Sequence, residues 1–346
     1  MSPRWWRKPA DDIVPTRDEP GAAGPLRTAI DGVPETDRTP EADRVPEMDR
    51  VPEPWVPIEV DEPGPIFEAR PPIGPDCYDF PDTECDGWST PDLTLRYASV
   101  RGARHRFHQQ PRQDSARAAL HQPSGTIVFA VADGVSSATL AHRGAHEVCG
   151  FAIHRMLKCL TADPNWGDWH DLAQRCAGWM AELTRRRQGE AHPAPHRIAE
   201  LYATTLVAGL IWPHADGPAV ELCRIGDSDA WILDHSTGRY YPLFRSGADA
   251  HGDVVSTAVT PLPHVPERVE RAAHQLTPTQ VLLVGTDGFG LPLGDGDGLI
   301  GDLFARQLET PPAPTWLAHV LDFSRATFDD DRTLLAVWPR SPSRPQ

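Results

Sequence analysis

Long apolar runs are missing from this 346-residue chain. No stretch approaches the roughly 18 uninterrupted apolar residues that a membrane-spanning helix requires, which argues against a spanning protein. An apolar core is also missing behind the basic N-terminus, MSPRWWRKPADD, so no secretory leader is expected and the cytoplasm is the expected location. Cysteine is scarce. Cys77, Cys85, Cys149, Cys159, Cys176 and Cys223 contain no C-x-x-C pair, which argues against a disulfide scaffold and a structural zinc cage. Positive charge is in deficit: Lys and Arg total 33 against 49 Asp and Glu, a formal net charge of -16. A general nucleic-acid binder needs the opposite balance.

Proline is abundant and unevenly placed. Residues 1–90 hold 17 of the 37 prolines, with 21 acidic against 9 basic side chains. A six-residue repeat runs through this segment as VPETDR, TPEADR, VPEMDR and VPEPWV, from Val33 to Val56. Each repeat offers one or two apolar side chains, too little burial to offset chain entropy. Residues 1–90 are therefore expected to form a disordered, acidic, partly polyproline-II tail. Two functional readings stand beside a plain solvated linker: contact of the Trp5-Trp6-Arg7-Lys8 cluster with a membrane surface or a partner, and docking of the repeat in a partner's groove.

From about Trp88 the pattern becomes globular, and residues 91–340 are expected to form one domain. Alternation over residues 93–100 and the apolar run TIVFAVA at 126–132 predict strands. Ala145, Val148, Ala152, Met156 and Leu160 recur at helical spacing, and a second helix is expected over 168–187. Strand signals return at 204–212, 219–225 and 230–233, read as a meander, and again at 281–286 and 333–338. Helices are expected near 299–308 and 315–327. Strands cluster with strands and helices with helices, which predicts an α+β layered sandwich rather than a doubly wound sheet.

The aspartates fall in a telling pattern. Asp133 follows VFAVA, Asp287 follows LLVGT, and Asp330 stands shortly before TLLAVW. A carboxylate at the rim of a buried strand is costly unless it is paired, hydrogen-bonded or bound to a cation. Gly134 and Gly288 follow two of them and permit close backbone approach. One Asp-Gly is ordinary turn chemistry; three carboxylates, each against a buried strand, favour a metal site. Oxygen donors without His or Cys suit Mg2+ or Mn2+.

Five stretches in order resemble one family, the type 2C metal-dependent protein serine/threonine phosphatases. VFAVADGVSSA (128–138) resembles its first metal motif and ATTLVAGLI (203–211) its T-T strand. RIGDSDAWIL (224–233) resembles G-D-S-R-A, LLVGTDGF (282–289) resembles S-D-G, and DDRTLLAVW (330–338) resembles the terminal D-N-x-T strand. The resemblance implies a four-layer αββα sandwich of two mainly antiparallel sheets. It also implies hydrolysis of phosphoserine or phosphothreonine on proteins by hydroxide activated between two Mn2+ or Mg2+ ions. Asp133 would bridge the ions, the Gly134 carbonyl would bind one, and Asp287 and Asp330 would ligate the other. Asp227 would lie near a third position.

The first family motif, R-x-x-x-E-D, meets Gln109, Gln113 and Asp114 here, so only Asp114 matches. The stretch resembles instead a bacterial branch, G-x-x-H-x-x-x-x-x-P-x-Q-D, whose motif residues are His105, Gln113 and Asp114. In that branch Asp114 would serve catalysis and contact metal through water. Arg104, Arg106 or Arg112 would supply the phosphate contact beside His105. Leu291 replaces the acidic residue expected four after the second D-G, and Asp229 replaces the arginine after G-D-S. Two readings compete with the enzyme: a pseudophosphatase acting as a binding module, and a phosphatase of a small phosphorylated molecule. His142 and His146 lack the H-E-x-x-H order of a zinc helix, and Asp295 and Asp297 read as a turn.

Overall fold

The computed structural model describes residues 55–244 and 260–340. The expectations that fall on residues 1–54, including the Trp5-Trp6 cluster and most of the repeat, lie outside the described residues. In chain order the elements are β1 (Thr83–Ser89), β2 (Leu93–Val100), α1 (Ala103–His108), β3 (Ser115–His121) and β4 (Thr126–Ala132). Three helices follow, α2 (Ala141–Ala162), α3 (Trp169–Gln188) and α4 (Pro195–Tyr202), then β5 (Leu206–Trp212), β6 (Ala219–Ile225), β7 (Asp229–Asp234) and β8 (Arg239–Pro242). The chain ends with β9 (Glu270–Gln275), β10 (Gln280–Gly285), α5 (Asp287–Leu293), α6 (Leu299–Gln307), α7 (Pro314–Leu321) and β11 (Arg332–Pro339).

Two antiparallel sheets result, ordered β1-β2-β11-β10-β7-β8 and β3-β4-β5-β6-β9. Side chains alternate faces along a strand, and that alternation builds the layers. Ile127, Phe129 and Val131 of β4 meet Leu282 and Val284 of β10 and Leu335 and Val337 of β11 between the sheets. Val128, Ala130 and Ala132 face the other way, against α2, α3 and α4. Leu283, Leu334 and Ala336 face Phe289, Phe304 and Leu317 of α5, α6 and α7. Strands buried on both faces read as continuous apolar runs for this reason. The architecture is the four-layer αββα sandwich expected from the sequence.

Three boundaries differ from the expectation. Residues 55–90 were expected in the tail, yet Thr83–Ser89 pairs with β2 along its whole length. Upstream, Val60 and Phe80 are buried against the domain, and Trp55 meets Trp316 edge-on with ring centroids 5.2 Å apart. This stretch cannot form a core of its own; the domain surface buries Val60 and Phe80, while Val56, Ile66, Ile73 and Tyr78 stay exposed. The expected meander also breaks. β7 leaves β6 at Gly226 (φ 97°), a conformation that favours glycine, and pairs with β10 in the other sheet. The last helix stops at Leu321, before the loop leading to Asp330.

Candidate active site

The predicted aspartates converge where the two sheets end. Asp133 closes β4, and its backbone is locked from both sides: Thr204 Oγ1 (2.7 Å) and Thr205 N (2.8 Å) donate to its carbonyl. Its own amide donates to Thr205 Oγ1 at 3.0 Å, and that hydroxyl lies 2.7 Å from Ser228 Oγ. The A-T-T strand and the G-D-S turn thus act together as a cradle for Asp133. Asp287 opens α5. A side chain at Gly288 would collide with the Asp331 carbonyl, so only glycine lets α5 approach β11 this closely.

Asp114 is buried between them. Its Oδ2 accepts from Thr286 Oγ1 (2.7 Å) and Thr333 Oγ1 (2.8 Å), while Oδ1 is buried without a hydrogen-bond partner. Burial, with the charges of Asp331 and Asp287, pushes this carboxyl up to about 8. Burial and the charges of Asp114 and Asp287 hold the Asp133 carboxyl well above its usual range, and Asp330 adds to this. Asp287 is raised by burial and by the charges of Asp227 and Asp330. Six carboxylates therefore act on one another here, and repulsion at close range favours the neutral forms of Asp114, Asp133 and Asp287.

Asp331 behaves differently, although it is also buried. His105 Nδ1 lies 2.8 Å from its Oδ1, which also accepts from Gly102 N (2.7 Å); Oδ2 accepts from Gln113 N (2.5 Å). Burial alone would raise its pKa, but the bonds from His105 and the two amides hold it below the ordinary value. His105 opposes its own desolvation through the same pair, which raises its pKa. His105, Asp330 and Asp331 offer potential ligand atoms within 4.8 Å of one another. The oxygens of Asp331 are already used, so that trio is a hydrogen-bonded pair with Asp330 beside it.

The three arginines nominated for phosphate separate clearly. Arg106 is bound between Asp82 (2.7 Å) and Asp322 (2.8 Å), and buried Arg112 pairs with Glu84 (2.7 Å) and the Ser99 carbonyl (2.9 Å). Both are committed elsewhere, which corrects the expectation for Arg106. Arg104 lies 3.6 Å from Asp330 with its side chain 40% exposed, the one nominated arginine at the site with a free face. Asp227 is exposed and lines a cleft of about 410 Å³ with Asp229, Trp231, Tyr240 and Asp287. His142 is buried against Phe80 with its pKa lowered to about 4 by burial, a packing histidine as expected. The supporting residues Thr204, Thr205, Ser228, Thr286 and Thr333, and Asp331 itself, were not singled out from sequence. All of them lie inside the resembling motifs, which was the available signal.

The Protein phosphatase 2C family model matches residues 101–322. No curated protein sequence matches. Among solved structures, the Mycobacterium tuberculosis serine/threonine phosphatase PstP/Ppp is 14% identical with a TM-score of 0.48, over 72% of this chain and 100% of that one. The PstP catalytic domain in complex with two manganese ions gives 15% and 0.47, over 72% and 99%. RsbX in complex with magnesium gives 12% and 0.46, over 74% and 100%. With its family match extending over residues 101–322, the chain belongs to the protein phosphatase 2C family, the metal-dependent protein serine/threonine phosphatases.

Proposed function

We propose that this chain hydrolyses phosphoserine and phosphothreonine on proteins with two Mn2+ or Mg2+ ions. Asp133, the Gly134 carbonyl, Asp287 and Asp330 would hold them, with Asp114 contacting through water and Asp227 close by. The donor set fits such ions. It is all oxygen and partly desolvated, and Asp114, Asp133 and Asp287 are raised by burial and by neighbouring carboxylates, with Arg104 reaching only Asp330. The observation that carries the reading is Asp114: a buried carboxyl oxygen left without any partner beside carboxylates that repel it. Native interiors rarely leave such an atom unsatisfied.

Divalent cations bound there supply Lewis acidity, lowering the pKa of water and screening phosphoryl charge. The chain's own residues do the rest. Thr204, Thr205 and Ser228 hold Asp133 in place, so its carboxylate is oriented before substrate arrives. Thr286 and Thr333 occupy one oxygen of Asp114 and leave Oδ1 to accept a hydrogen bond from water. Arg104, flexible at its tip and poised beside Asp330, binds the non-bridging phosphate oxygens. Hydrolysis exchanges the P–O bond to the seryl or threonyl oxygen for one to the water oxygen, and a water proton ends on the leaving alcohol.

The test is hydrolysis of a phosphothreonine peptide with Mn2+, with EDTA, and by an Asp287→Asn variant. Turnover that needs Mn2+ and is lost in the variant is expected. Metal binding without turnover on several phosphopeptides would contradict the activity while keeping the site.

A further inference from the structure

α1 carries Arg104 and His105, yet it has only six residues, far fewer than the ~12–15 an isolated helix needs to persist. Such a helix must be held by its ends, where backbone groups lack partners within the helix. The N-terminal end is sewn to the loop before β11: Gly102 N donates to Asp331 Oδ1 (2.7 Å) and Arg104 N to the Asp329 carbonyl (2.9 Å). The C-terminal end is held from a different place. Arg70 N donates to the Arg106 carbonyl (3.2 Å) and Ile73 N to the Gln109 carbonyl (2.8 Å). The Arg70 guanidinium sits 4.6 Å over the Phe107 ring, and Arg101 bridges the Arg70 carbonyl (3.1 Å) and the His105 carbonyl (2.9 Å).

The segment that makes these contacts lies outside the residues the family model matches and is anchored on both sides of them. Upstream, Ser324 N donates to the Ile58 carbonyl (2.7 Å), Val60 N to Ser324 (3.0 Å) and Ala326 N to Glu62 (2.7 Å). Downstream, Asp76 pairs with Arg143 of α2 (2.7 Å) and Arg187 of α3 (2.9 Å). We propose that residues 58–76 form a strap that fixes α1, and that Arg70 and Ile73 are positioning residues for Arg104. This deepens the phosphatase reading above and rests on it. Arg104 reaches phosphate from where α1 places it, because its 40% exposed side chain is tied only to the similarly exposed Asp330 at 3.6 Å among the ion pairs of the described residues.

The backbone amides give a clean test. The Ile73 side chain is exposed, so Ile73→Ala keeps the amide and disturbs no core, whereas Ile73→Pro removes the amide hydrogen and fixes φ. Arg70→Pro removes the other amide together with the guanidinium over Phe107, and Arg70→Ala separates the two losses. Thermal unfolding, hydrogen exchange over residues 103–110, KM and kcat on a phosphothreonine peptide, and inorganic phosphate binding to the Mn2+-loaded protein are compared. Expected in either proline variant, at the melting temperature of Ile73→Ala, is faster exchange in α1 with KM and the phosphate Kd raised. The change is about 2- to 10-fold, the range of one net hydrogen bond, and kcat changes less. Unchanged exchange in α1 overturns the strap whatever the kinetics. Faster exchange with unchanged KM and phosphate binding overturns the positioning role. Global unfolding of both proline variants, where Ile73→Ala stays folded, overturns a local role as well. A chain that cleaves no phosphopeptide defeats the phosphatase reading instead, and exchange with phosphate binding still decides the strap.

Discussion

Asp114 and Asp331 are equally buried and stand close enough to feel each other's charge, yet the fold treats them in opposite ways. Asp331 receives a histidine and two backbone amides and stays ionised below its ordinary pKa. Asp114 receives two hydroxyls on one oxygen, nothing on the other, and is pushed up to about 8. Asp133 and Asp287 side with Asp114. Burial alone therefore does not say what a carboxylate is for; its partners do. One side of the site is complete within the protein and is structural. The other side is arranged at a cost to stability, a cost that the cations of the proposed function would offset.

The contrast can be broken most sharply at Asp133. Asp133→Asn is expected to lower kcat/KM by about 10³-fold or more, since bound metal contributes several kcal/mol to such reactions. The same change leaves the metal-free protein as stable or more stable, because it relieves repulsion; activity assays and calorimetric melting separate the two. Asp331→Ala should do the reverse in kind. It breaks the buried His105–Asp331 pair and leaves the amides of Gly102 and Gln113 without their acceptor, and is expected to cost about 3–5 kcal/mol in denaturant unfolding.

Acidity sharpens the comparison further. Asp114, Asp133 and Asp287 keep protons in the fold that the unfolded chain releases near pH 4. The unfolded state thus holds fewer protons as pH rises toward 8, and stability falls. His105, raised above 6.5, contributes a loss of the same sign, while His142, lowered to about 4, acts in the opposite sense only on the acid side of 6.5. The metal-free protein is expected to melt lower at pH 8 than at pH 6.5, and saturating Mn2+ should remove most of that drop. The smallest effects concern the arginines. Arg104→Ala should raise KM about 10-fold without changing the melting temperature, as loss of one charged hydrogen bond allows. Arg106→Ala should cost about 1 kcal/mol of stability and leave KM unchanged.

Much of this was legible in the sequence because burial on both faces writes strands as apolar runs, and Asp133, Asp287 and Asp330 punctuate those runs. The layered class followed from the clustering of elements. Residues 55–90 were misread because their composition resembles that of the tail, and composition does not show that a neighbouring surface is available to bury Val60 and Phe80. β1, with the sequence TECDGWS, has little apolar alternation to announce it, since it is an edge strand with no fully buried residue. Arg106 was nominated for phosphate because its partners, Asp82 and Asp322, lie 24 and 216 residues away. Asp330 was preferred to Asp331 because it stands three residues before Thr333, as in D-N-x-T; the histidine that claims Asp331 stands in α1, far back in the chain. Pairings across long sequence separations leave no local mark.

The most direct test of the central claim is calorimetric titration of Mn2+ into the metal-free full chain and its Asp133→Asn variant. Two ions are expected to bind the natural chain, at least one is lost in the Asp133→Asn variant, and Asp331→Asn retains both. Binding that is absent from the natural chain, or unchanged by Asp133→Asn, would contradict it.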